Sequence, residues 1–412
     1  MAKLNDFERT MTSCNHCGQC KWILPSRMSG WDFAEICPIY QRLGFDACSG
    51  QGLINIAKER MLGRLEYGDG LEDILYSCSC CGACDVNCKS VRDMELLDTI
   101  YALREDCAES GHLPAPLGEK AALISETHDF NGLSPESRFA FLPGDIGEDP
   151  DSDTLLFLGC SAATHPENTL AAIKILRAGG VSFRTLREEE CCCGSFLWRI
   201  GETEKARHLI ERNRELFRSR GIKRIICVCA ECYGAFRAIY PRFFAPDFEV
   251  LHISEIAAEL IDSGAITPRP LEKPLRVTYH DPCSLGRLSE PYVPWEGEIK
   301  AYGLHVPEKQ WRRGEHGQYH APRKILAAIP GLELVEMPRY MEEAFCCGAG
   351  GGVAVANPEM AAWTADERRR EALSTGAEVL VSACPFCQDA LSSGGEHTIG
   401  YADLCVLLAD RL

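Results

Sequence analysis

Twenty-four of the 412 residues are cysteines, and their grouping points to metal binding rather than to scattered structural thiols. Near the start, Cys14-Asn15-His16-Cys17-Gly18-Gln19-Cys20 sets three thiols at two-residue gaps, so one tight loop can wrap three corners of a cubane. Zinc sites take their cysteines in separated pairs instead. A second run, Cys78, Cys81, Cys84 and Cys88, is a complete C-x2-C-x2-C-x3-C, and Gly82 stands in it where Gly18 stands in the first. The first run departs from the pattern: Lys21 to Ile36 is inserted before its fourth cysteine, Cys37-Pro38. The second has Lys89 where a proline is usual. Two-cluster ferredoxins exchange their fourth ligands. The runs therefore predict Cys14, Cys17, Cys20 and Cys88 around one [4Fe-4S] cubane and Cys37, Cys78, Cys81 and Cys84 around another. Cys48, Cys80 and Cys107 are left over and are expected as small buried hydrophobes.

The second half of the chain is a duplication. Cys160, Cys192-Cys193-Gly194, Cys229 and Cys232 recur as Cys283, Cys346-Cys347-Gly348, Cys384 and Cys387. The spacing repeats closely, 36 positions from Cys193 to Cys229 and 37 from Cys347 to Cys384. Cys191 and Cys227 lie beside motif cysteines and alternate away from them, so they are expected as non-ligands, and Cys405 as a core residue. An ordinary cubane takes four thiolates. The fifth cysteine of each unit is therefore either a spare structural residue or a ligand to a different kind of cluster.

On these motifs, with HDPCSLGR at His280 to Arg287, CCGAGGG at Cys346 to Gly352 and SACPFC at Ser382 to Cys387, the chain resembles the CCG-domain iron-sulfur proteins, above all the catalytic subunits of heterodisulfide reductase. The resemblance implies that each five-cysteine unit holds a noncubane [4Fe-4S] cluster, two smaller clusters fused through a shared iron and sulfide. The expected cofactors are thus two cubanes and two noncubane clusters. His280 and Asp281, just before Cys283, are candidate catalytic residues, as proton donors to departing thiolates or as hydrogen-bond partners of cluster sulfurs; the alternative is that His280 caps its loop. Gly350, Gly351 and Gly352 are candidates for letting backbone approach a ligand closely, although packing against a cluster would explain them as well. Arg287 and Arg323 could meet anionic substrate groups but are expected as solvated surface residues.

These residues need elements that bring them together. Residues 1–110 read as a helical ferredoxin-like domain, with helices at Ile54 to Arg64 and Met94 to Cys107. Residues 111–153, rich in proline, glycine and acids, read as a linker. Residues 154–270 and 271–412 read as two duplicated Rossmann-like α/β CCG units, so the whole chain is a multidomain α+β and α/β protein. Strands are expected at Thr154 to Leu158, Val181 to Leu186, Ile222 to Val228, Glu249 to Ile253, Leu275 to Tyr279, Leu332 to Glu336 and Val379 to Ser382. A long helix is expected from Phe196 to Arg220 and a closing one from Ala402 to Leu412. All three cysteine elements of each unit then follow a strand, where sites in parallel sheets gather.

The net charge of −17 argues against nucleic acid, which selects clustered Lys and Arg. No apolar run approaches the ~18 to 20 residues that span a bilayer, so a cytoplasmic protein is expected, reaching a membrane only through a partner. Two functions fit. One is a thiol-disulfide oxidoreductase similar to the D subunit of heterodisulfide reductase, acting on a small disulfide. The other is an electron-transfer protein with no disulfide substrate, like the iron-sulfur subunits of benzoyl-CoA reductase, of lactate, glycolate or glycerol-3-phosphate oxidoreductases, or of sulfite-reductase-associated complexes. Both imply redox partners: a flavoprotein, a cytochrome b or a tungsten-enzyme subunit. The chain itself has no GxGxxG after a strand to hold a flavin or nicotinamide.

Overall fold

The computed structural model describes residues 3–90 and 92–412. Its N-terminal part is built from short helices, with Gly50–Met61 and Leu96–Glu109 packed on each other as its spine. Ser49 caps the first of these by accepting from the Gly52 N–H at 3.2 Å. Gly18 and Gly82 both adopt φ +78°, the left-handed conformation that a side chain would strain, so the two cysteine runs turn alike.

The stretch 111–153 is more than a linker. It contains helices Ala115–Thr127 and Pro135–Phe139, and the first buries Leu117, Ala121 and Ile124 on one face. Its 3.6-residue periodicity is carried by only these three positions, which the flanking prolines and glycines mask.

Two parallel sheets follow. The first has strands β1 (Thr154–Phe157), β2 (Arg224–Cys227) and β3 (Glu249–His252) in that order. The second has β4 (Leu275–Tyr279), a two-stranded antiparallel hairpin β5 (Glu298–Ile299) and β6 (His305–Val306) outside the sheet, then β7 (Leu332–Leu334), β8 (Val379–Ser382) and β9 (Gly400–Asp403), ordered β7-β4-β8-β9. The expected strand at Val181 to Leu186 shrinks to one bridge, Leu155 to Arg184, on the outer edge of β1, where β7 sits beside β4. Counting that bridge, both units have the same strand order.

Two other expectations change. The long helix splits into Ser195–Ile200 and Thr203–Ser219 at Gly201 (φ +94°), where a Cβ would lie 2.3 Å from the Arg104 carbonyl oxygen. The closing helix is only Leu404–Ala409, because Asp403 ends β9 and caps the helix, accepting from the N–H groups of Cys405 at 2.8 Å and Val406 at 3.2 Å.

The units pack reciprocally. The helix after β1 (Pro166–Ala178) meets the one after β9, and the helix after β3 (Ile253–Asp262) meets the one after β4 (His320–Ala328). First-with-last and last-with-first is the pattern of an isologous interface between like units. Buried Arg104 ties all three parts together, donating to the carbonyls of Leu75 and Cys78, of Arg199 in the first unit and of Gly351 in the second.

Candidate functional site

The carboxyl ends of the strands deliver the thiols. Cys160 follows β1, Cys229 follows β2 and opens the short helix Ala230–Gly234 that carries Cys232, and Cys192-Cys193 lie in the loop before Ser195–Ile200. In the second unit Cys283 follows β4, Cys384 follows β8 and opens Pro385–Ser392 with Cys387, and Cys346-Cys347 precede the glycine-rich turn.

Within the first unit, contacts between thiols run Cys160 to Cys192 to Cys193 to Cys232 to Cys229. In the second they run Cys283 to Cys346 to Cys347 to Cys387 to Cys384, with 3.3 Å between the sulfurs of Cys347 and Cys387. Two further contacts join the sets. Cys229 meets Cys384, and Cys346 meets Cys81 of the N-terminal part. The hydrogen bond from its neighbour holds each acceptor thiol, Cys81, Cys192, Cys229 and Cys347, well below the ordinary thiol range.

Ahead of these units, Cys14, Cys17, Cys20 and Cys88 line one cavity, with Cys17 exposed. Cys37, Cys78, Cys81 and Cys84 gather at a second, buried point, where burial pushes Cys37 and Cys84 up. Gly50 passes between the groups: a Cβ there would lie 2.8 Å from the Cys84 Cβ and 3.5 Å from that of Cys20. Cys191 points away and receives the Arg212 Nε–H at 2.9 Å, while Cys227 and Cys405 are buried.

This donor set fits iron-sulfur groups. It offers soft thiolates in clusters, and the carboxylate that reaches them, Glu231, is held by Arg199 at 3.2 Å. Thiolate-ligated clusters carry negative charge, and four guanidiniums that are at most 5% exposed surround the thiols: Arg104, Arg199, Arg287 and Arg368. Arg287, expected as a solvated residue, donates to the carbonyls of Cys81 at 2.6 Å and Ala344 at 2.7 Å. Arg323, expected likewise, forms a two-pronged pair with Asp281 at 2.7 and 2.9 Å. Arg104, Arg199 and Arg368 escaped the sequence reading, since a single arginine in a helix carries no local mark of burial.

His280 is buried behind Cys347. The Arg368 Nε–H donates to its Nδ1 at 3.0 Å. A guanidinium is permanently protonated, so this bond assigns Nδ1 as acceptor and leaves the hydrogen on Nε2, which is aimed at Cys347 and Cys387. Such an N–H can donate to a sulfur but cannot ligate iron. Asp281 is occupied by Arg323 and by the Met341 N–H at 2.8 Å, so it anchors the loop before Cys283. Neither residue reaches the cleft. Its walls are Cys160, Cys192, Cys193 and Cys232 on one side and Ala349, Gly350, Gly351 and Gly352 on the other. Cys346 and Cys347 face inward to Cys81 and His280 because the N-terminal part covers them. The glycines are needed for that fit: a Cβ on Gly351 (φ +62°) would lie 2.6 Å from the Ser79 carbonyl carbon.

Comparison with known proteins agrees with this architecture. The CCG cysteine-rich domain family matches residues 154–237 and 310–392, and the 4Fe-4S dicluster domain family matches residues 10–91. Cys283 lies outside the second CCG match although it joins that set in space. The D subunit of the dihydromethanophenazine:CoB-CoM heterodisulfide reductase of Methanosarcina barkeri is 33% identical over 83% of this chain and 78% of its own. The B subunit of the CoM/CoB fumarate reductase of Methanothermobacter marburgensis is 31% identical over 82% of this chain and 62% of its own. The EtfAB:quinone oxidoreductase of Syntrophomonas wolfei is 32% identical over 58% and 31%. With paired cysteine-rich units behind a dicluster domain and near-complete alignment to the heterodisulfide reductase relatives, the chain belongs to the CCG-domain iron-sulfur family that includes the D subunit of heterodisulfide reductase, a family of oxidoreductase electron-transfer proteins.

Proposed function

We propose that this chain takes electrons from a redox partner into two [4Fe-4S] cubanes and passes them to two noncubane clusters, each held by five cysteines in a Rossmann-like unit, where a small disulfide is reduced. The observation that carries this reading is the line of neighbouring thiols from Cys81 through Cys346, Cys347, Cys387, Cys384, Cys229, Cys232 and Cys193 to Cys192 and Cys160 at an open cleft, with 3.3 Å between the Cys347 and Cys387 sulfurs. Reduction breaks one S–S bond, consumes two electrons and two protons, and yields two thiols. When bound, the clusters supply one-electron storage and iron sites for sulfur. The chain's own residues order the rest. Cys81 and Cys346 join the dicluster part to the second unit, and Cys384 and Cys229 join the two units. The His280 Nε2–H faces the Cys347 and Cys387 sulfurs within 4.8 Å, Asp281 fixes the loop of Cys283, and Gly350 to Gly352 leave room at the cleft. The partner is a flavoprotein, cytochrome b or tungsten-enzyme subunit. The chain is cytoplasmic and meets a membrane only through that partner, in keeping with the absence among the described residues of any helix long and apolar enough to cross one.

Relatives named for fumarate and quinone chemistry favour a second reading, relay without a disulfide substrate. One experiment separates the two. Anaerobically purified chain should hold about 16 Fe, four per cluster, and after reduction should be reoxidised by disulfides added alone. About 8 Fe with cubane signatures only would remove the noncubane clusters; about 16 Fe with no response to any disulfide would leave the relay.

A further inference from the structure

The second unit carries an insertion that the first lacks. The lone cysteine and the paired cysteines stand 32 positions apart in the first unit, Cys160 to Cys192, and 63 apart in the second, Cys283 to Cys346. Part of the extra length forms the hairpin of β5 and β6, which takes no part in the sheet. Lys309, just after β6, pins it to the N-terminal part through Asp93 at 2.8 Å and Glu95 at 2.7 Å. Between the hairpin and the N-terminal helix Glu8–Ser13 is an open cavity of about 550 Å³, a volume in the range of small-molecule sites. None of its lining residues is a cysteine.

The lining is aromatic and cationic. Trp295, Tyr302 and Trp311 stand on the hairpin side and Phe7 on the other. Trp295 is braced: its indole N–H donates to the Pro307 carbonyl at 2.9 Å, and its ring meets His305 edge to face with centroids 5.0 Å apart. The carboxylates are occupied, Asp93 and Glu95 by Lys309 and Asp6 by the Lys3 backbone N–H at 2.7 Å. Arg92 donates to the Ser13 carbonyl at 2.8 Å, and neither it nor the exposed Arg9 meets a carboxylate among the described residues. Two uncompensated guanidiniums beside stacked rings suit a planar anion. Arg92 and Met94 also line the cavity of Cys14, Cys17, Cys20 and Cys88, so a molecule held here is one side-chain layer from that site.

Resting on the reading of those four cysteines as the outer cubane of an electron-transfer chain, we propose that this cavity binds flavin mononucleotide and is where electrons enter. The flavin ring stacks against the hairpin aromatics, and its phosphate lies at Arg9 and Arg92. The neighbouring thiols select an electron carrier over a redox-silent nucleotide, and the guanidiniums select an anion over a neutral quinone. A cubane accepts one electron at a time, which a flavin delivers and a nicotinamide, a hydride donor, does not. Reduced flavin returns to its oxidised form by releasing two protons to solvent at the open mouth and two electrons singly, each lowering the outer cubane by one oxidation step before moving inward. Side chains of a helix and a hairpin hold the molecule, so no glycine-rich dinucleotide turn is needed.

The test uses the full anaerobic holoprotein with flavin mononucleotide and with riboflavin, which lacks the phosphate. Equilibrium dialysis should find one flavin site per chain, with the emission of bound flavin quenched by the stacked rings and riboflavin held about tenfold more weakly. Arg9 is exposed, so Arg9→Glu should leave the fold intact while weakening flavin mononucleotide about tenfold and riboflavin less than about twofold. Tyr302 stands fully exposed at the hairpin tip with φ +61°, a conformation that glycine adopts freely, so Tyr302→Gly should weaken both ligands alike, by about fivefold or more. Reduction of the clusters by photoreduced flavin mononucleotide should slow in step with its affinity, while dithionite, which needs no site, reduces parent and variants equally. No saturable flavin binding, or binding of flavin mononucleotide at the parent affinity in either variant, overturns the site and leaves the electron-transfer reading standing. Dithionite-reduced protein without cubane paramagnetic signals overturns the outer cluster and the entry route with it.

Discussion

Glu371 allows a quantitative test of how the second unit is held. Its carboxylate is fully buried, accepts from the Arg339 backbone N–H at 2.7 Å, from Arg339 Nε at 3.1 Å and from Arg368 Nη1 at 2.5 Å, and lies 3.0 Å from Arg339 Nη2 as an ion pair. Burial pushes this carboxyl up, but the two guanidiniums outweigh it and hold it below the usual carboxylate range. Glu371→Gln keeps the shape and removes the charge. Among the described residues, two arginines with no exposed side-chain surface then keep as a carboxylate partner only Glu367, 3.7 Å from Arg339. Breaking one partner out of a buried ionic group costs about 3 to 5 kcal/mol. For a unit of this size that corresponds to a fall in Tm of roughly 6 to 20 °C. The control is Glu333→Gln, which removes the partner of Arg276 in a pair about half exposed on both sides, worth about 0 to 1 kcal/mol. Anaerobic thermal scans of the loaded protein measure both. If the two variants melt within about 3 °C of each other, the buried network is not holding the unit, and the role of Arg368 as a fixed support for His280 goes with it.

Three further outcomes are expected. Cys84→Ala should cost the buried cubane and stop electron delivery from a partner, while the signals of the five-cysteine units remain; undiminished turnover with the physiological donor would refute the route. His280→Phe removes the N–H aimed at Cys347. If that bond is worth about 1.4 kcal/mol more in the reduced state, its loss lowers a one-electron potential by about 59 mV, measurable by redox titration with iron content as the control. Asp403 is buried, and burial raises its carboxyl to about 7. A folded pKa above the unfolded one means that the native state binds the extra proton, so stability falls as pH rises from the unfolded value to about 7 and stays lower beyond. Asp403 should contribute a loss of about 2 kcal/mol between about pH 5.5 and 7, at about 1.4 kcal/mol per pH unit, beside the like slope of buried Glu190, also raised to about 7, and Asp403→Asn should lose only its own share; a slope equal to the parent's would refute the assignment.

The alternation of strand and helix was legible because each parallel strand is a short apolar run with a turn residue or cysteine at its end, a signal confined to a few positions. The gathering of thiols at the strand ends follows from the same topology. What escaped depended on partners far away in sequence. Gly201 breaks a helix because the Arg104 carbonyl presses on it from the N-terminal part. The run Gly400 to Asp403 is a strand only because β8 pairs with it. Arg199, Arg287 and Arg368 look like ordinary surface arginines until three parts of the chain close over them. The two copies of the five-cysteine motif are nearly alike in spacing. Only packing shows that one copy looks outward and the other inward.

Cys17 is exposed, whereas the ligands of the two five-cysteine sets are buried except for the half-buried Cys283, and they come from separate loops of two reciprocally packed units. Iron can therefore reach the Cys14, Cys17, Cys20 and Cys88 site in the finished protein. Were the closed-in second set, Cys346, Cys347, Cys384 and Cys387, to hold a cluster, that cluster would have to be built while the units are still coming together. Assembly in the cell then has a fixed order, inside before outside, and air damage should run the opposite way. Preparations exposed briefly to oxygen should lose the outer cluster first and regain it with iron and sulfide, whereas chains made without iron should not be repaired at their centre without unfolding.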